Sequence, residues 1–202
     1  MSADDASTLP DLVAGRLSTA VVSDILDDLG HRDHVLDPAI RPLGDAPVIA
    51  GWANPFLVAE VDEIPADPYT GEIAAMDDIA PDDVVLVAAA GSARAACWGE
   101  LFSTAALARG ARGTLIDGYC RDAQVIAAIG YPVWCRGLLP LDVKGRLAVT
   151  AWRQPPRCGF VASSGCAESV IEAHQNFPGR AIRPRETGER VIRLTHLDFA
   201  AD

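Results

Sequence analysis

Three apolar segments, separated by two stretches of helical length, dominate the middle of the chain and limit the folds that it can adopt. The segments are residues 84–87, 115–116 and 131–135, and the stretches between them are 100–109 and 122–129. Each stretch ends at a glycine, as helices often do. A continuous apolar run is typical of a strand buried on both faces of a parallel sheet. The alternation therefore predicts right-handed βαβ crossovers, a parallel sheet and an α/β fold.

Further elements flank this core. Residues 18–30 have the apolar repeat of an amphipathic helix, with their aspartates mostly on the solvent side. Residues 46–61 are β-like but are interrupted by proline and glycine, which predicts short strands or bends. Residues 62–83 are rich in proline and carboxylates and predict either a lid or a solvated connection. The C-terminal part is again β-rich, and it has a helical pattern at 167–177 and a strand pattern at 189–197.

The composition is that of one globular domain. A chain of 202 residues, half of them apolar, can bury about 70% of the surface that its unfolded form exposes. The formal charge of −11 argues against nucleic acid or a membrane as a partner, because both bind clustered lysine and arginine. The chain shows no signal peptide and no long apolar segment, so we expect a cytoplasmic protein. We expect a single domain over residues 1–202, with residues 1–10 flexible.

The cysteines and histidines form no metal-binding or disulfide pattern. The five cysteines are odd in number and contain no C-x-x-C pair, which favours small buried hydrophobes. Cys120 precedes Arg121, and a reactive thiol is the alternative there, because a neighbouring cation lowers a thiol pKa. No histidine has ligand spacing to a carboxylate; the histidines are His31, His34, His174 and His196.

The segment that follows the second apolar run brings polar chemistry to the end of a strand. A glycine turn containing Asp117 leads to Arg121 and Asp122, which open the next helix. In open α/β sheets, ligands bind at the carboxyl ends of strands, where helix N-termini point free N–H groups outward. The loop before the first crossover helix opens on the same edge, so we expect Gly99, Glu100, Arg121 and Asp122 to line one cleft. The alternative is an N-cap with a surface ion pair.

Several motifs together resemble a known family. In chain order they are Leu36-Asp37-Pro38, Trp98-Gly99-Glu100-Leu101, Arg109-Gly110-Ala111-Arg112-Gly113, Ile116-Asp117-Gly118 and Arg121-Asp122. Over residues 12–159 the chain resembles the RraA-like family, which includes 4-hydroxy-4-methyl-2-oxoglutarate aldolases. The resemblance implies a single RraA-like α/β domain, in which a parallel βαβ core is joined to additional β structure of the swivelling β/β/α type. It also implies a homotrimer or hexamer.

The implied activity is that of a class II, metal-dependent aldolase. Such a carbon–carbon lyase cleaves a 4-hydroxy-2-oxo acid by retro-aldol chemistry and releases pyruvate or a similar 2-oxo acid; oxaloacetate decarboxylation is a related reaction. Cleavage leaves electrons beside a ketone, and Mg²⁺ or Mn²⁺ stabilises the resulting enolate as a Lewis acid. Asp122 is the expected metal ligand, because such ions commonly take only one or two protein carboxylates. The one lysine, Lys144, lies outside the expected cleft, which agrees with a route that needs no Schiff base.

The other cleft residues have expected roles in binding and catalysis. The guanidinium of Arg121 can hold the substrate carboxylate or the enolate oxygen in a forked hydrogen bond. The backbone N–H groups of Gly99, Leu101 and Phe102 can bind the same carboxylate at a helix start. Glu100 is expected to hold a metal-bound water or to transfer a proton, and its alternative is a structural acid favoured by the helix dipole.

The chain departs from the family pattern in two places. Aldolases of this family usually have an acid three positions after the metal aspartate, where it would orient metal-bound waters, and this chain has Val125 there. Residues 160–202 form a divergent tail that lacks the expected Gly-Asp and Asp-x-Asp-Gly-Val run. Two alternatives to the aldolase are a non-catalytic protein-binding regulator and a specialised biosynthetic lyase. The acids available in the tail are Glu168, Glu172, Glu186 and Glu189.

Overall fold

The computed structural model describes residues 18–28, 30, 32, 35–44 and 48–154, together with the backbone of 191–194. The helices within these residues are α1 (Thr19–Asp28), α2 (Thr70–Asp77), α3 (Glu100–Ala108) and α4 (Ala123–Ile129). The strands are β1 (Arg41–Pro42), β2 (Ile49–Glu60), β3 (Asp83–Ala88), β4 (Ala96–Trp98), β5 (Gly113–Ile116), β6 (Tyr119–Cys120), β7 (Val133–Cys135), β8 (Gly137–Leu138), β9 (Leu147–Trp152) and β10 (Val191–Leu194).

The main sheet confirms the predicted α/β class. Its strands follow the order β1-β7-β5-β3-β2-β10, and β9 also pairs with β2. The neighbouring pairs among β2, β3, β5 and β7 are parallel, whereas β1, β9 and β10 run antiparallel to their neighbours. Helix α3 lies in the crossover from β3 to β5, and α4 lies in the crossover from β5 to β7. The parallel βαβ core joined to additional β structure is therefore present.

A second, smaller sheet stands beside the carboxyl ends of the parallel strands. It consists of β4, β6 and β8 in that order, all parallel. These strands lie in the connections that the sequence predicts as loops before the crossover helices. Pairing of β4 with β6 sets Trp98 opposite Cys120, and the residues that follow these two strands therefore emerge side by side.

The core lies on both faces of the parallel strands. All six residues of β3 are buried, as the continuous apolar run predicts. Val85, Val87 and Ile116 belong to the larger apolar cluster, which also contains Trp98 from the small sheet. The smaller cluster, on the opposite face, contains Val84, Leu86, Leu115 and Trp134. Trp98 thus joins the small sheet to the core of the large one.

The predicted short strands or bends over residues 46–61 are wrong, because Ile49–Glu60 form one strand of 12 residues. The proline within it is tolerated by its position. The Pro55 carbonyl accepts a hydrogen bond from the Arg153 N–H at 2.9 Å, on the side of β2 that faces β9 rather than β3. The missing N–H of Pro55 therefore leaves the parallel ladder between β2 and β3 intact.

The expectation of a loop or lid over residues 62–83 is also wrong in part, because this segment contains α2. The helix has weak local signals: its N-cap Tyr69 makes no side-chain cap and has a left-handed backbone with φ of 72°. Packing of α2 against the rest of the protein compensates for the missing side-chain cap. Ala75 and Met76 are buried in the larger cluster, and the buried Glu72 carboxylate accepts the Val149 N–H at 3.2 Å.

The structure tests the other sequence predictions only where they fall within the described residues. The structure confirms helices within 18–30, 100–109 and 122–129, and β10 lies inside the predicted strand at 189–197. The flexible residues 1–10, the helix at 167–177, the tail glutamates and the histidines lie outside the described residues. Among the described helices, none has the length and apolar content needed to cross a membrane.

Candidate active site

The two strand ends of the small sheet bring the predicted cleft residues together. Gly99 follows β4 directly and leads into α3, while Arg121 and Asp122 follow β6. The Arg121 N–H donates to the Trp98 carbonyl at 3.0 Å and so extends the pairing of the two strands. The parallel pairing therefore sets the Arg-Asp pair against the N-terminus of α3.

The Asp122 carboxylate is directed at that N-terminus. Asp122 is the N-cap residue of α4, but its backbone is left-handed, with φ of 60°, and its side chain makes no cap to its own helix. Instead Oδ2 accepts the Glu100 N–H at 3.2 Å and lies 3.5 Å from Arg121 Nε. The predicted N-cap alternative is therefore wrong for α4, because the carboxylate caps the neighbouring α3. No described residue donates to the other carboxylate oxygen, Oδ1.

Gly99 makes this close approach possible. A Cβ atom at this position would lie 2.7 Å from Asp122 Oδ2 and 3.1 Å from Arg121 Cγ. The Gly99 backbone is extended, with φ of −163°, so any residue could adopt its conformation and the constraint is purely one of space. A side chain at 99 would displace the Arg-Asp pair from the start of α3.

Two residues that the sequence analysis missed complete the surroundings of the guanidinium. Arg121 Nη1 lies 3.1 Å from Asp142 Oδ1, and the Tyr69 hydroxyl donates to Asp142 Oδ2 at 2.7 Å. Burial by itself raises the pKa of the Asp142 carboxyl. The hydrogen bonds from Tyr69 and the Lys144 N–H, with the Arg121 charge, more than offset this and lower that pKa below its ordinary value. The hydrogen bond to Asp142 raises the pKa of Tyr69.

These two residues carried only weak sequence signals. Tyr69 lies in the proline-rich segment 62–83, and Asp142 lies beyond the β-strands of the βαβ core. The nearest signal along the chain is Gly145-Arg146, three residues after Asp142 and within residues 12–159, which resemble the family. Only the fold brings α2 and the loop before β9 to the end of β6.

A cavity of about 370 Å³ opens beside the Arg-Asp pair. It is lined by all six predicted site residues, namely Gly99, Glu100, Leu101, Phe102, Arg121 and Asp122, together with Tyr69, Ile73, Ala96, Cys97, Trp98, Asp142 and Val143. A second depression shares Glu100, Leu101, Arg121 and Asp122 and is otherwise lined by Leu138, Leu139 and Pro140. The side chains of Arg121 and Asp122 are 35% and 42% exposed, so both can contact a ligand.

The side chains beside Arg121 and Asp122 suit a metal ion that prefers oxygen ligands. The described residues contain no group of three or more His, Cys, Asp or Glu side chains able to hold a metal, which disfavours a zinc-type cage. Mg²⁺ and Mn²⁺ prefer oxygen ligands, and Mg²⁺ commonly takes one or two carboxylates and keeps several waters. Asp122 fits that demand, because it is a partly exposed carboxylate with one oxygen to which no described residue makes a hydrogen bond or ion pair.

Asp117, in contrast, belongs to a structural network. Its side chain is 1% exposed and pairs with Arg136 Nε, while Arg136 Nη2 pairs with Asp37 Oδ2 at 2.7 Å. Two backbone hydrogen bonds hold the turn: Asp117 N–H to the Val87 carbonyl, and Gly91 N–H to the Asp117 carbonyl. This network ties the loops at the carboxyl ends of β3, β5 and β7, and thereby supports the chain that leads to Arg121.

The described cysteines are buried and unpaired by disulfides, which confirms the interpretation as small hydrophobes. They are Cys97, Cys120 and Cys135. Burial raises the pKa of the Cys97 thiol to about 12 and raises that of Cys120 as well. The interpretation of Cys120 as a reactive thiol next to Arg121 is therefore wrong, because the side chain is fully buried and desolvation is the largest influence on its thiol pKa.

The fold and the site define an α/β domain whose parallel sheet is extended by a small second sheet, with an arginine and an aspartate where the two sheets meet. A family model described as "RraA-like: Aldolase/RraA" matches residues 19–162. The chain therefore belongs to the RraA-like family. This confirms the resemblance on which the sequence analysis depended.

Individual relatives agree with this assignment. A protein of Halalkalibacterium halodurans named "Putative 4-hydroxy-4-methyl-2-oxoglutarate aldolase" is 30% identical over 121 residues, or 60% of this chain and 53% of that protein. A protein of the same name from Shewanella oneidensis is 30% identical over 130 residues, or 61% of this chain and 71% of that protein. The chain thus spans about half the length of the first of these relatives.

A solved structure shares the architecture. The crystal structure of Streptomyces coelicolor RraAS2 is described as that of an unusual member of the RNase ES inhibitor RraA protein family. It is 25% identical to this chain, has a TM-score of 0.66, and is matched over 80% of this chain and 88% of that chain. The relatives therefore include proteins named for an aldolase activity and a member of a family named for inhibition.

Proposed function

We propose that this protein is a divalent-metal-dependent lyase that cleaves a carbon–carbon bond of a 4-hydroxy-2-oxo acid and releases pyruvate or a similar 2-oxo acid. The observation that carries the proposal is the geometry of Arg121 and Asp122 at the N-terminus of α3. A guanidinium, an available carboxylate oxygen and helix N–H groups all face one cavity of about 370 Å³. The aldolase names of the relatives support the same chemistry.

The reaction requires that one bond be broken and one proton be accepted. The C3–C4 bond of the substrate breaks, its electrons remain on C3 as an enolate, and the C4 hydroxyl loses its proton as C4 becomes a carbonyl. The enolate then takes a proton at C3 to give the 2-oxo acid. Decarboxylation of oxaloacetate forms the same enolate with carbon dioxide as the leaving group, so the site should accept that reaction as well.

Arg121 is the residue that we assign to the substrate carboxylate or the enolate oxygen. Its planar fork can donate two parallel hydrogen bonds, which a lysine could not do. The N–H groups of Leu101 and Phe102 lie in the first turn of α3 and have no acceptor among the described residues, so they are available to the same ligand. Asp142 and Tyr69 act as positioning residues that hold the guanidinium in the cavity.

Asp122 is the residue that would hold the metal, which, when bound, supplies the positive charge that stabilises an enolate oxygen. Glu100 lines the same cavity, and no described residue makes a hydrogen bond or ion pair to its side chain, so it is free to accept the C4 hydroxyl proton. Val125 replaces the family acid and is 47% exposed. It adds no ligand, which leaves Asp122 as the assigned protein ligand among the described residues.

The deciding experiment measures pyruvate release from a panel of 4-hydroxy-2-oxo acids and oxaloacetate, with Mg²⁺ or Mn²⁺ and with a chelator. We expect turnover that depends on the metal and is lost in Asp122→Asn. Asparagine tolerates the left-handed backbone of position 122 and can still accept the Glu100 N–H, so the variant should keep its fold. Turnover that is unaffected by the chelator or by Asp122→Asn would refute the assignment.

A matched control tests whether a loss of activity is specific to the Asp122 carboxylate or follows from removing any carboxylate. Asp77 pairs with Arg109 on the surface and does not line the cavity. Asp77→Asn should retain wild-type turnover, since an exposed ion pair contributes little to stability. Equal loss of activity in Asp77→Asn and Asp122→Asn would mean that the effect is general rather than catalytic.

A second candidate is a protein-binding regulator without catalysis, and the apolar surface around the cavity favours it. Leu101, Leu138 and Leu141 are 72%, 54% and 43% exposed. Clustered exposed leucines mark contact surfaces. The same surface agrees with a trimer or hexamer, whose size light scattering of the purified protein would establish. Wild-type protein that is inactive on the whole panel, yet binds another protein through this surface, would favour the regulator.

A further inference from the structure

Helix α3 begins without a side chain of its own N-cap residue to hold it. That residue is Gly99, and the first helical hydrogen bond runs from the Ser103 N–H to the Gly99 carbonyl at 3.0 Å. The N–H groups of Leu101 and Phe102 have no acceptor among the described residues. A serine or aspartate at the N-cap would ordinarily accept one of these two N–H groups. The glycine therefore leaves both donors to a ligand, but it removes the contact by which an N-cap side chain fixes a helix start.

A buried hydrogen bond fixes the start of α3 in place of that cap. Trp98, the residue before the N-cap, donates from its indole Nε1 to Ser103 Oγ at 2.8 Å. The two residues are 2% and 0% exposed. Contacts between the residue before the N-cap and the fourth helical residue set the angle at which the chain enters a helix. Trp98 and Ser103 occupy these two positions, so their hydrogen bond ties the first turn of α3 to β4.

The same tryptophan also holds the backbone of Arg121. The Trp98 carbonyl accepts the Arg121 N–H at 3.0 Å, next to the pairing of β4 with β6. Through two different groups, Trp98 thus contacts both elements that supply donors to the proposed substrate carboxylate, namely Arg121 and the first turn of α3. The position of the α3 N–H groups relative to Arg121 therefore depends on the contact between Trp98 and Ser103.

We infer that Ser103 is a positioning residue: by accepting the Trp98 indole N–H, it keeps the N–H groups of Leu101 and Phe102 directed at the ligand carboxylate that Arg121 binds. The inference rests on the proposed function for the identity of that ligand. Ser103 is not among the residues that line the cavity, so it acts through Trp98. Donors held in place before binding need no reorganisation when a negative charge arrives. Without the Ser103 hydroxyl, the buried indole N–H loses its acceptor, which is costly, so Trp98 and the start of α3 would shift.

The test compares Ser103→Ala with a control that loses a buried hydrogen bond elsewhere. Thr114 is buried on β5, and its hydroxyl lies 2.9 Å from the hydroxyl of Tyr131, which is also buried. Neither of these residues lines the cavity. Thr114→Val replaces the hydroxyl with a methyl group, so each variant leaves one buried polar group without its partner. We expect both variants to melt at a lower temperature than the wild-type protein.

Isothermal titration calorimetry with pyruvate in the presence of Mg²⁺ distinguishes the two variants. We expect Ser103→Ala to bind pyruvate roughly tenfold more weakly than wild type, because hydrogen bonds to a charged group are lost. Thr114→Val should bind pyruvate as wild type does. An unchanged pyruvate affinity in Ser103→Ala, or an equal loss in Thr114→Val, would overturn the inference. Wild-type protein that binds no pyruvate would overturn it as well, because the site would then hold no 2-oxo carboxylate.

Turnover separates this inference from the proposed function. Wild type and Ser103→Ala are assayed for pyruvate release from the panel of 4-hydroxy-2-oxo acids. Weaker pyruvate binding in Ser103→Ala, together with no turnover by wild type, would refute the lyase and support the role of Ser103. Turnover by wild type, together with equal pyruvate binding in both proteins, would support the lyase and overturn the role of Ser103.

A second variant keeps the test decisive if Ser103→Ala does not fold. Cysteine is close to serine in size, and its sulfur is a weak hydrogen-bond acceptor. We therefore expect Ser103→Cys to fold and to bind pyruvate more weakly than wild type. An affinity equal to that of wild type would contradict the role of the Ser103 hydroxyl.

A spectroscopic measurement follows one of the helix N–H groups directly. In protein labelled with ¹⁵N-phenylalanine, the Phe102 resonance is assigned by its loss in Phe102→Leu. We expect pyruvate to shift the Phe102 amide proton downfield in wild type, as a hydrogen bond to a carboxylate forms, and to shift it less in Ser103→Cys. An equal shift in both proteins, or no shift in wild type, would overturn the inference.

Discussion

Adding one methyl group at position 99 should displace the Asp122 carboxylate without removing any polar side chain from the site. In Gly99→Ala, the new Cβ would lie 2.7 Å from Asp122 Oδ2, so the carboxylate must withdraw by about 0.7 Å to reach an ordinary contact of 3.4 Å. The Glu100 N–H to Oδ2 hydrogen bond is already 3.2 Å long, and a shift of this size breaks it. Arg121 Cγ, at 3.1 Å, must move by a few tenths of an ångström as well.

The expected consequences follow from these displacements. Overpacking of this kind costs roughly 1–3 kcal/mol of folding stability. A displacement on the order of 1 Å at a reacting centre costs about a hundredfold in rate, equivalent to about 2.7 kcal/mol in the barrier, and we expect a comparable loss here if Arg121 and Asp122 have the proposed roles. We therefore expect Gly99→Ala to remain folded at room temperature, to lose about a hundredfold in kcat/KM for 2-oxo acid release, and to bind Mn²⁺ more weakly by calorimetry.

A stability-matched control isolates the local effect. Gly130 ends α4 with φ of +71°, and a Cβ there would have no heavy atom within 4 Å. Gly130→Ala should therefore lose about 1–2 kcal/mol through backbone strain alone and keep wild-type kcat/KM. Full activity in Gly99→Ala, measured on the folded fraction, would show that the approach of Asp122 to α3 does not matter for catalysis.

Three further outcomes are expected. Tyr69→Phe removes the hydroxyl that holds Asp142 beside Arg121, so kcat/KM should fall roughly tenfold to a hundredfold with little change in melting temperature; an unchanged kcat/KM would remove Tyr69 from the site. The pKa of Asp142 lies below its ordinary value of 3.8, so its contribution to stability is present above that pH and is lost as the pH falls through the folded pKa. Thermal denaturation should accordingly show Asp142→Asn less stable than wild type at neutral pH, with a gap that narrows below pH 3.8, whereas a constant gap would contradict the ion pair. The pKa of Cys97 is raised to about 12 by burial, so iodoacetamide at about pH 8 should leave it unmodified in the native protein by peptide mass mapping; complete labelling without unfolding would contradict its burial.

Local sequence determined the repeating unit of the fold. The run Val84–Val87 has no polar side chain, which permits burial on both faces, and the helices that follow end at Gly110 and Gly130. Such patterns act over a few residues and hold in most tertiary contexts. The same locality explains why Gly99, Glu100, Arg121 and Asp122 could be assigned to one cleft: parallel strands bring the residues that follow them to the same edge.

Tertiary structure decided what local patterns could not. The proline and glycine of β2 are strand breakers by propensity, yet pairing with β3 on one side and with β9 and β10 on the other stabilises a 12-residue strand. Helix α2 lacks a capping side chain, and its burial against β9 compensates. In both places long-range packing outweighs local preference, because buried apolar contacts contribute more than propensity differences of a few tenths of a kcal/mol per residue.

The sequence by itself determined that Arg121 and Asp122 are presented together after a strand, since the two residues are adjacent in the chain and follow an apolar run and a glycine turn. Only the tertiary structure decided how they are held. The Asp122 carboxylate caps α3 rather than its own helix. Asp142, 21 residues from Arg121 along the chain, pairs with its guanidinium, and Tyr69, 52 residues from Arg121, donates a hydrogen bond to Asp142. Contacts between residues so far apart depend on the simultaneous packing of several elements, and no periodicity in the sequence encodes them.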